Sequence, residues 1–436
     1  MTRFLLLALA LTTAASAQTT RAVFVGNQGP PASLTYVDRA AGTAQPVAGV
    51  TLSSFLQGME IIGSRLYVTG NGSRIDVVDV ATRQRVAQIT DAAFGTSRYI
   101  AGVAPGKAYV TVQNYAAGAT ASEVVVLNLA TNTVSGRIAV PLQPEGLALA
   151  GGRVYVTLGG FGGSTRLAVI DPVTDTLLPP VEIGCTARFV FSDDDGEAIA
   201  VCTDSGEFVR IDGATGTVTG RDASGATLGS AFSIGQDAAL VRPAGSAEQT
   251  IVAVTSTGVL LYGTDSHTVT ARVAIADVAN RPVSAVGFDP QRSQFVLGRP
   301  DASGPFSASG TVTVHSLTGA LVVTHPAGVF PGHVAVDAAG GVANESGPDA
   351  AGLRLAAVPN PASASTEIRF TLDAPQAVSV ALVDVLGREV VRVAEGAFGA
   401  GEQRLPLDVR GLPPGVYVVR LTAGGSVATQ RLTVAR

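Results

Sequence analysis

Six polar side chains hold equivalent places in a repeating pattern, each at the start of a short apolar segment: Gln57, Arg98, Glu145, Arg188, Ser230 and His333. A carboxylate, two guanidinium groups and an imidazole that converge on one spot can bind an anionic or sugar-like molecule, or position one catalytic water. The alternative is that these side chains are solvated and scattered around a wide opening, because no motif fixes the distances between them. If the protein has a ligand site, we expect it here, overhung by loops at Asn114, Tyr115 and Phe161, and we assign no catalytic residue.

The other chemistry-bearing residues match no familiar catalytic or metal-binding arrangement. The four histidines lack the spacing of a zinc site, and the chain has neither a nucleophile-elbow motif nor a phosphate-binding loop. The net charge of -5 argues against an electrostatically driven nucleic-acid binder. We therefore predict no metal, no cofactor and no nucleic-acid partner.

The segments that position these residues belong to a repeat of roughly 45 residues, the length of a four-stranded propeller blade. A typical copy has a short apolar strand such as GMEII from Gly58, then a strand such as LYVTGN from Leu66. A third strand ends in Asp or Asn, with Thr three residues later: Asp79 and Thr82, Asn128 and Thr131, Asp171 and Thr174, Asp212 and Thr215. This spacing favours a hairpin turn, in which the Asx side chain bonds the backbone amides ahead of it, over a series of calcium sites.

The two ends of the repeat region predict how it closes. The N-terminal copy, at Ala22–Asn27, lacks a preceding apolar strand, and an unpaired copy of that strand follows the last repeat at His333–Asp337. We therefore predict an all-β protein with a seven-bladed β-propeller over residues 21–345, closed by pairing of its N- and C-terminal strands. The sixth repeat is longer and holds an extra strand-like run at Asp237–Arg242, and we assign its first strand to SAFSI, from Ser230.

Three of the copies carry a sharper signature: YVTGNG followed by VVDVAT, YVTVQN followed by VLNLAT, and YVTLGG followed by VIDPVT. They resemble the YVTN-type β-propeller repeat. The resemblance implies the propeller fold and leaves the function open, since similar propellers serve as surface-layer modules, binding proteins and occasional lactonases or lyases.

The two cysteines, Cys185 and Cys202, flank a hairpin whose turn is centred on Asp193 and Asp194. They are therefore expected to lie almost opposite each other on neighbouring strands, within disulfide range. In an exported chain this favours a disulfide, and two buried free thiols are the alternative.

Residues 1–17 have the features of a secretory signal peptide: Arg3, an apolar run from Phe4 to Leu11, and small residues up to Ala17. A membrane anchor is the alternative, but the run is shorter than the roughly 20 residues that a spanning helix needs. No other segment is a candidate membrane span.

After a linker at 346–354, strand-like runs return without the repeat, which predicts a small immunoglobulin-like β-sandwich over 355–436. Its motifs are PNP, DVLGREV and GVY, and their marking residues are Pro359, Asn360, Pro361, Asp384, Gly387, Arg388, Gly415 and Tyr417. In this order they resemble the type A C-terminal sorting domain of type IX secretion substrates. The resemblance implies two partners, the secretion machinery and a sortase-like peptidase, and a destination outside the cell or on its outer surface, reached through the periplasm. An ordinary immunoglobulin-like or fibronectin-like binding module is the alternative.

Together these features predict a secreted or cell-surface propeller that acts as a binding or scaffold module for an unknown ligand or protein partner. Two alternatives stay open. One is a lactonase- or lyase-like propeller enzyme that uses Glu145, His333 and an Arg at one mouth of the central channel of the propeller. The other is a structural, surface-layer-like protein.

Overall fold

The computed structural model describes residues 20–52, 55–116, 118–160, 163–232, 234–243, 246, 248–338, 355–358, 360, 362–372, 374–383, 389–413, 415–423 and 426–434. The predicted signal peptide and linker lie outside these residues. The regular secondary structure of the described chain is β-strand apart from one short 3-10 helix at Ala92–Phe94, which confirms the prediction of an all-β protein. Within these ranges no helix is both long enough and apolar enough to span a bilayer.

The first part of the chain contains strands β1 to β28. The first fourteen are β1 (Thr20–Asn27), β2 (Ser33–Asp38), β3 (Thr43–Pro46), β4 (Leu56–Ile62), β5 (Arg65–Gly70), β6 (Arg74–Asp79), β7 (Arg85–Thr90), β8 (Thr96–Ala104), β9 (Lys107–Gln113), β10 (Ser122–Asn128), β11 (Thr133–Val140), β12 (Leu147–Ala150), β13 (Arg153–Thr157) and β14 (Arg166–Asp171). The next fourteen are β15 (Thr176–Glu182), β16 (Ala187–Ser192), β17 (Glu197–Cys202), β18 (Glu207–Asp212), β19 (Val218–Ala223), β20 (Ala238–Val241), β21 (Thr250–Thr255), β22 (Gly258–Gly263), β23 (Thr268–Ala274), β24 (Ala285–Asp289), β25 (Gln294–Arg299), β26 (Ser309–Ser316), β27 (Leu321–Val329) and β28 (Pro331–Ala338).

In the described residues these strands form seven four-stranded antiparallel sheets. Sheet 1 has the order β28-β1-β2-β3, and sheets 2 to 7 use the other strands in consecutive groups of four, from β4–β7 to β24–β27. In the pairing of β28 with β1, Phe24 lies opposite Ala335 and Gly26 lies opposite His333. Sheet 1 therefore takes one strand from the end of the repeat region and three from its beginning.

Consecutive sheets pack through hydrophobic clusters, and each sheet contributes to two of them. The second and third strands of each sheet are rich in β-branched residues and bury both faces, so their side chains alternate between the two neighbouring sheets. The fourth strand of each sheet is largely exposed. The cluster between sheets 7 and 1 shows this clearly, because Val296 and Val312 of sheet 7 meet Val23, Val25 and Val334 of sheet 1.

The threonine of the YVT motif links one sheet to the next. The Thr157 hydroxyl lies 3.1 Å from the carbonyl oxygen of Gly146 in its own sheet and 2.9 Å from that of Arg188 in sheet 5. The Thr111 hydroxyl likewise donates to the carbonyl of Glu145, at 2.8 Å. Glycine permits this close approach, since a Cβ on Gly146 would lie only 2.8 Å from the Arg188 carbonyl oxygen. The threonine of the motif therefore connects neighbouring sheets by hydrogen bonds, in addition to its place in a strand.

The Asx–Thr pairs make the predicted turns. The Asp79 carboxylate accepts hydrogen bonds from the Thr82 amide at 2.8 Å and the Thr82 hydroxyl at 2.9 Å, and these two bonds lower the pKa of Asp79. The Asp212 carboxylate accepts from the Thr215 amide at 2.8 Å. These carboxylates are engaged in hairpin turns, as predicted.

The first strand of sheet 6 differs from the prediction. Ala231 and Phe232 lie in a turn, and the strand is β20, which lies in the run that the sequence analysis described as extra. All four residues of β20, Ala238–Val241, are buried, so the strand packs against both neighbouring sheets. Phe232 of SAFSI instead packs its ring edge-on against Phe330, with centroids 5.2 Å apart.

Cys185 and Cys202 form a disulfide with their Cα atoms 5.8 Å apart, as predicted. The register differs in detail from the expectation, because Ala187 lies opposite Cys202 and Cys185 precedes β16. The bond joins this preceding segment to the end of β17.

The last part of the described chain contains seven strands: β29 (Leu355–Val358), β30 (Ser365–Leu372), β31 (Gln376–Val383), β32 (Glu389–Phe398), β33 (Gly401–Asp408), β34 (Gly415–Ala423) and β35 (Ser426–Val434). They form two antiparallel sheets, β29-β30-β33 and β32-β31-β34-β35. Side chains from both sheets, including Phe370, Val380 and Val419, share one hydrophobic core.

Of the sorting-motif residues, Gly415 begins β34, and the Tyr417 hydroxyl donates to the Pro413 carbonyl at 2.9 Å. Asn360 is exposed. The others lie outside the described residues: Pro359, Pro361, Asp384, Gly387 and Arg388.

Candidate functional site

Three of the six predicted site residues come together where the first strands of sheets 2, 3 and 4 begin. The Arg98 guanidinium binds the Glu145 carboxylate in a fork, with Nε to Oε2 at 3.0 Å and Nη2 to Oε1 at 3.1 Å, and it also donates to Gln57. Gln113 Nε2 donates to Glu145 Oε1 at 3.0 Å, and the Tyr115 hydroxyl donates to Gln113. Arg98 and Glu145 are 5% and 2% exposed, so the ion pair is buried.

A second buried ion pair joins sheets 5 and 6. Arg188 binds the Asp237 carboxylate, and both residues are buried. Burial is the largest single influence and lowers the pKa of Arg188, but Asp237, Tyr99 and Glu145 together raise that pKa by more, so Arg188 is cationic. Ser230 enters this arrangement only through its backbone amide, which donates to Asp237 Oδ1 at 3.1 Å. Sheet 6 therefore contributes the side chain of Asp237 to this site, and not that of Ser230 as predicted.

We call Gln57, Arg98, Gln113, Glu145, Arg188 and Asp237 the polar layer. In it each guanidinium is matched by one carboxylate, so the layer is close to electrically neutral. Buried charges are stable when they are paired in this way. The predicted Glu and two Arg therefore all lie in the polar layer. Each Arg is paired with a carboxylate of the protein, Arg98 with Glu145 and Arg188 with Asp237.

Tyr99 and His333 lie next to the polar layer. The Tyr99 hydroxyl donates to the Gly235 carbonyl at 3.4 Å, and the Tyr99 ring lies 6.3 Å from the His333 ring, centroid to centroid. Tyr99 thus reaches from sheet 3 to the loop before β20 and to sheet 1. Burial raises the pKa of Tyr99 to about 12.

His333 is buried and neutral. Burial, followed by the positive charges of Arg98 and Arg188, lowers the pKa of His333 to about 3. Gln28 Nε2 lies 2.7 Å from the Ile234 carbonyl and 3.3 Å from His333 Nε2. Because the Gln28 nitrogen is a donor, His333 Nε2 is the acceptor, and its proton is on Nδ1.

A cavity of about 140 Å³ begins at Tyr99, Gln236 and His333. It extends along the first strands to Arg242 and Pro290, which directly follow β20 and β24. The first strands of all seven sheets contribute to its wall, through Met59 of β4, Tyr99 of β8, Leu147 of β12, Phe189 of β16, Leu240 of β20, Phe288 of β24 and Val334 of β28. The wall is mostly apolar, with polar groups at its two ends.

Several residues of this site were missed by sequence reasoning: Gln28, Tyr99, Gln113, Gln236 and Asp237. Two of them left a signal. Asp237 is a lone acidic residue directly before an apolar run, and Gln113 ends a YVT strand. Of the predicted loops, Tyr115 reaches the polar layer, whereas Phe161 lies outside the described residues. In the part of the chain that the structure describes, no group of three or more His, Cys, Asp or Glu side chains is placed to hold a metal ion.

We expect the protein to lose stability because of His333 as the pH falls from 6.5 towards 3. Over this range the unfolded imidazole binds a proton and the folded one does not, since the pKa is lowered from 6.5 to about 3. The stabilising effect is complete above the unfolded pKa and decreases by about 1.4 kcal/mol per pH unit below it. Urea midpoints measured between pH 7 and pH 4 should fall less steeply for His333→Gln than for the native protein.

The comparison of the two proteins removes the effect of other titrating groups. Burial raises the pKa of Asp193 to about 6, which gives a pH dependence of the opposite sign in both proteins. Equal slopes for the two proteins would contradict the neutral state of His333.

Comparisons with known proteins find two families. The family described as "Domain of unknown function (DUF5074)" matches residues 39–304, and the "Secretion system C-terminal sorting domain" matches residues 357–435. The second match confirms the predicted destination, because it indicates type IX export to the cell surface or into the medium. The YVTN-type resemblance stays a prediction.

No curated protein matches the chain. Two solved structures are similar in part. One is the Kuenenia stuttgartiensis hydrazine synthase, at 17% identity and a TM-score of 0.49, covering 66% of this chain and 92% of that one. The other is a protein of unknown function from Bacteroides caccae, at 11% identity and a TM-score of 0.42, covering 73% of this chain and 99% of that one.

Proposed function

We propose a binding function for this chain, which belongs to the family of the domain of unknown function DUF5074. In this proposal it is an exported seven-bladed β-propeller that binds or scaffolds a partner outside the cell and does not catalyse a reaction. The signal peptide at 1–17 carries it to the periplasm, and the C-terminal domain, an immunoglobulin-like sandwich, is recognised by the type IX machinery and a sortase-like peptidase.

Two features support a closed ring of seven blades. β28 pairs with β1, which joins the ends of the repeat region. In addition, hydrophobic clusters lie between each sheet and the next, including sheets 7 and 1. A ring of this kind has no free edge between its first and last blades.

The observation that carries the binding function is the pairing of charges in the polar layer. Glu145 accepts from Arg98 and Gln113, and Asp237 binds Arg188. A general acid or base works best with a pKa near the operating pH. The pKa of His333 is about 3 and that of Tyr99 is about 12, so neither group changes protonation near neutral pH.

Turnover of a lactone tests the proposal against the enzyme alternative. We expect the purified protein to hydrolyse dihydrocoumarin no faster than buffer, and His333→Gln to behave identically. Saturable turnover that falls about 100-fold or more in a folded His333→Gln variant would overturn the binding function, since a general acid or base contributes about that factor.

A further inference from the structure

The cavity beside Tyr99 has the size of a single aromatic ring with a small substituent. Its volume is about 140 Å³. An apolar cavity of about 150 Å³ engineered into another protein stays dry and binds benzene. Aromatic side chains supply part of the wall here, namely Tyr99, Phe189, Phe191 and Phe288. They can contact a ring through offset or edge-on stacking.

The charges near the cavity favour an uncharged ligand. Arg98 and Arg188 are bound to Glu145 and Asp237, so an anionic ligand would have to compete with a buried carboxylate for either guanidinium. At the other end of the cavity, Arg242 pairs with Asp194. Glu60, which also lines the cavity, has an interaction partner of its own. A charged molecule would therefore lose its hydration without gaining a free counter-charge, which is costly.

His333 supplies a hydrogen-bond donor in the wall of the cavity. Nε2 of its ring accepts from Gln28, so the proton is on Nδ1. A neutral imidazole with its proton on Nδ1 can donate a hydrogen bond from Nδ1 to an acceptor on a ligand.

We propose that the cavity binds a small, uncharged aromatic molecule whose carbonyl oxygen accepts a hydrogen bond from His333 Nδ1. The site rests on the proposed binding function and specifies the chemical class of its ligand.

Titrations followed by 19F NMR on the full-length protein test this inference with three probes. We expect saturable binding of 4-fluoroacetophenone, which has a ring and a carbonyl. Binding of 4-fluorotoluene, which lacks the acceptor, should be about fivefold weaker, the usual effect of one neutral hydrogen bond. Binding of 4-fluorobenzoate should be absent because of its charge. Equal binding of all three probes, or of none, would overturn the inference.

Two variants locate the binding. Ala239→Leu adds a larger side chain to the cavity wall and should abolish binding, whereas the same change in an exposed turn, Ala320→Leu, should leave it unchanged. His333→Gln should remove the preference for the ketone over 4-fluorotoluene, and this readout holds even if Ala239→Leu does not fold. Binding that persists in a folded Ala239→Leu variant, or a preference that persists in His333→Gln, would refute the site.

The outcomes separate this inference from the proposed function. Lactone turnover would reject the binding function whatever the ring probes do. Absence of probe binding without turnover would reject only the aromatic site.

Discussion

Removal of residues 357–435 should keep the protein inside the cell envelope, because these residues match the sorting domain that directs type IX export. The rest of the protein should stay folded. The C-terminal domain has its own hydrophobic core, and among the described residues none from this domain joins the clusters between the seven sheets. Immunoblots of medium, cell surface and periplasm should show the truncated protein in the periplasm alone.

A matched point variant controls for general damage to the C-terminal domain. Tyr417→Phe removes the hydroxyl that donates to Pro413 and keeps the buried ring, so it should be exported like the native protein. Fusion of residues 355–436 to a carrier protein with a signal peptide should export the carrier. Unchanged secretion of the truncated protein would refute the sorting role.

Glu145→Leu should reduce the free energy of unfolding by about 3–5 kcal/mol, the usual cost of breaking a buried ion pair. The variant leaves the Arg98 guanidinium charged, 5% exposed and without its carboxylate. The double variant Arg98→Met/Glu145→Leu should recover most of this loss, because it buries no uncompensated charge. Urea unfolding of both single variants and the double variant measures this coupling.

An exposed ion pair of the same type provides the control. Arg166 and Glu182 lie 2.8 Å apart with side chains 61% and 53% exposed, so Glu182→Leu should cost less than about 1 kcal/mol. A cost for Glu145→Leu no larger than that for Glu182→Leu would show that the buried pair does not have the assigned energetic role.

The repeated features were predictable from the sequence because they are local. The Asp79–Thr82 turn depends on residues three apart, and the pairing of β28 with β1 follows from one strand missing at the start and one left over at the end. The disulfide follows from two cysteines around a single hairpin. In each case the information lies within one repeat or in the count of repeats.

The contacts between different sheets were not predictable in the same way. Arg98 pairs with Glu145, and Arg188 pairs with Asp237. Which residues pair depends on the distance between the first strands of neighbouring sheets. The error at Ser230 has the same origin. SAFSI and the run from Asp237 both have the composition of a strand, but Phe232 packs against Phe330 and the buried residues Ala238–Val241 form the strand.

The threonines at 111 and 157 have a consequence for how the number of repeated sheets can change. The hydroxyl that holds a sheet to its successor is encoded inside the same sequence unit that builds the sheet. Duplication of the gene segment for one unit would copy the sheet together with the threonine that bonds it to the next sheet, and deletion would remove both. A family of this architecture can therefore gain or lose modules without evolving a new joint each time.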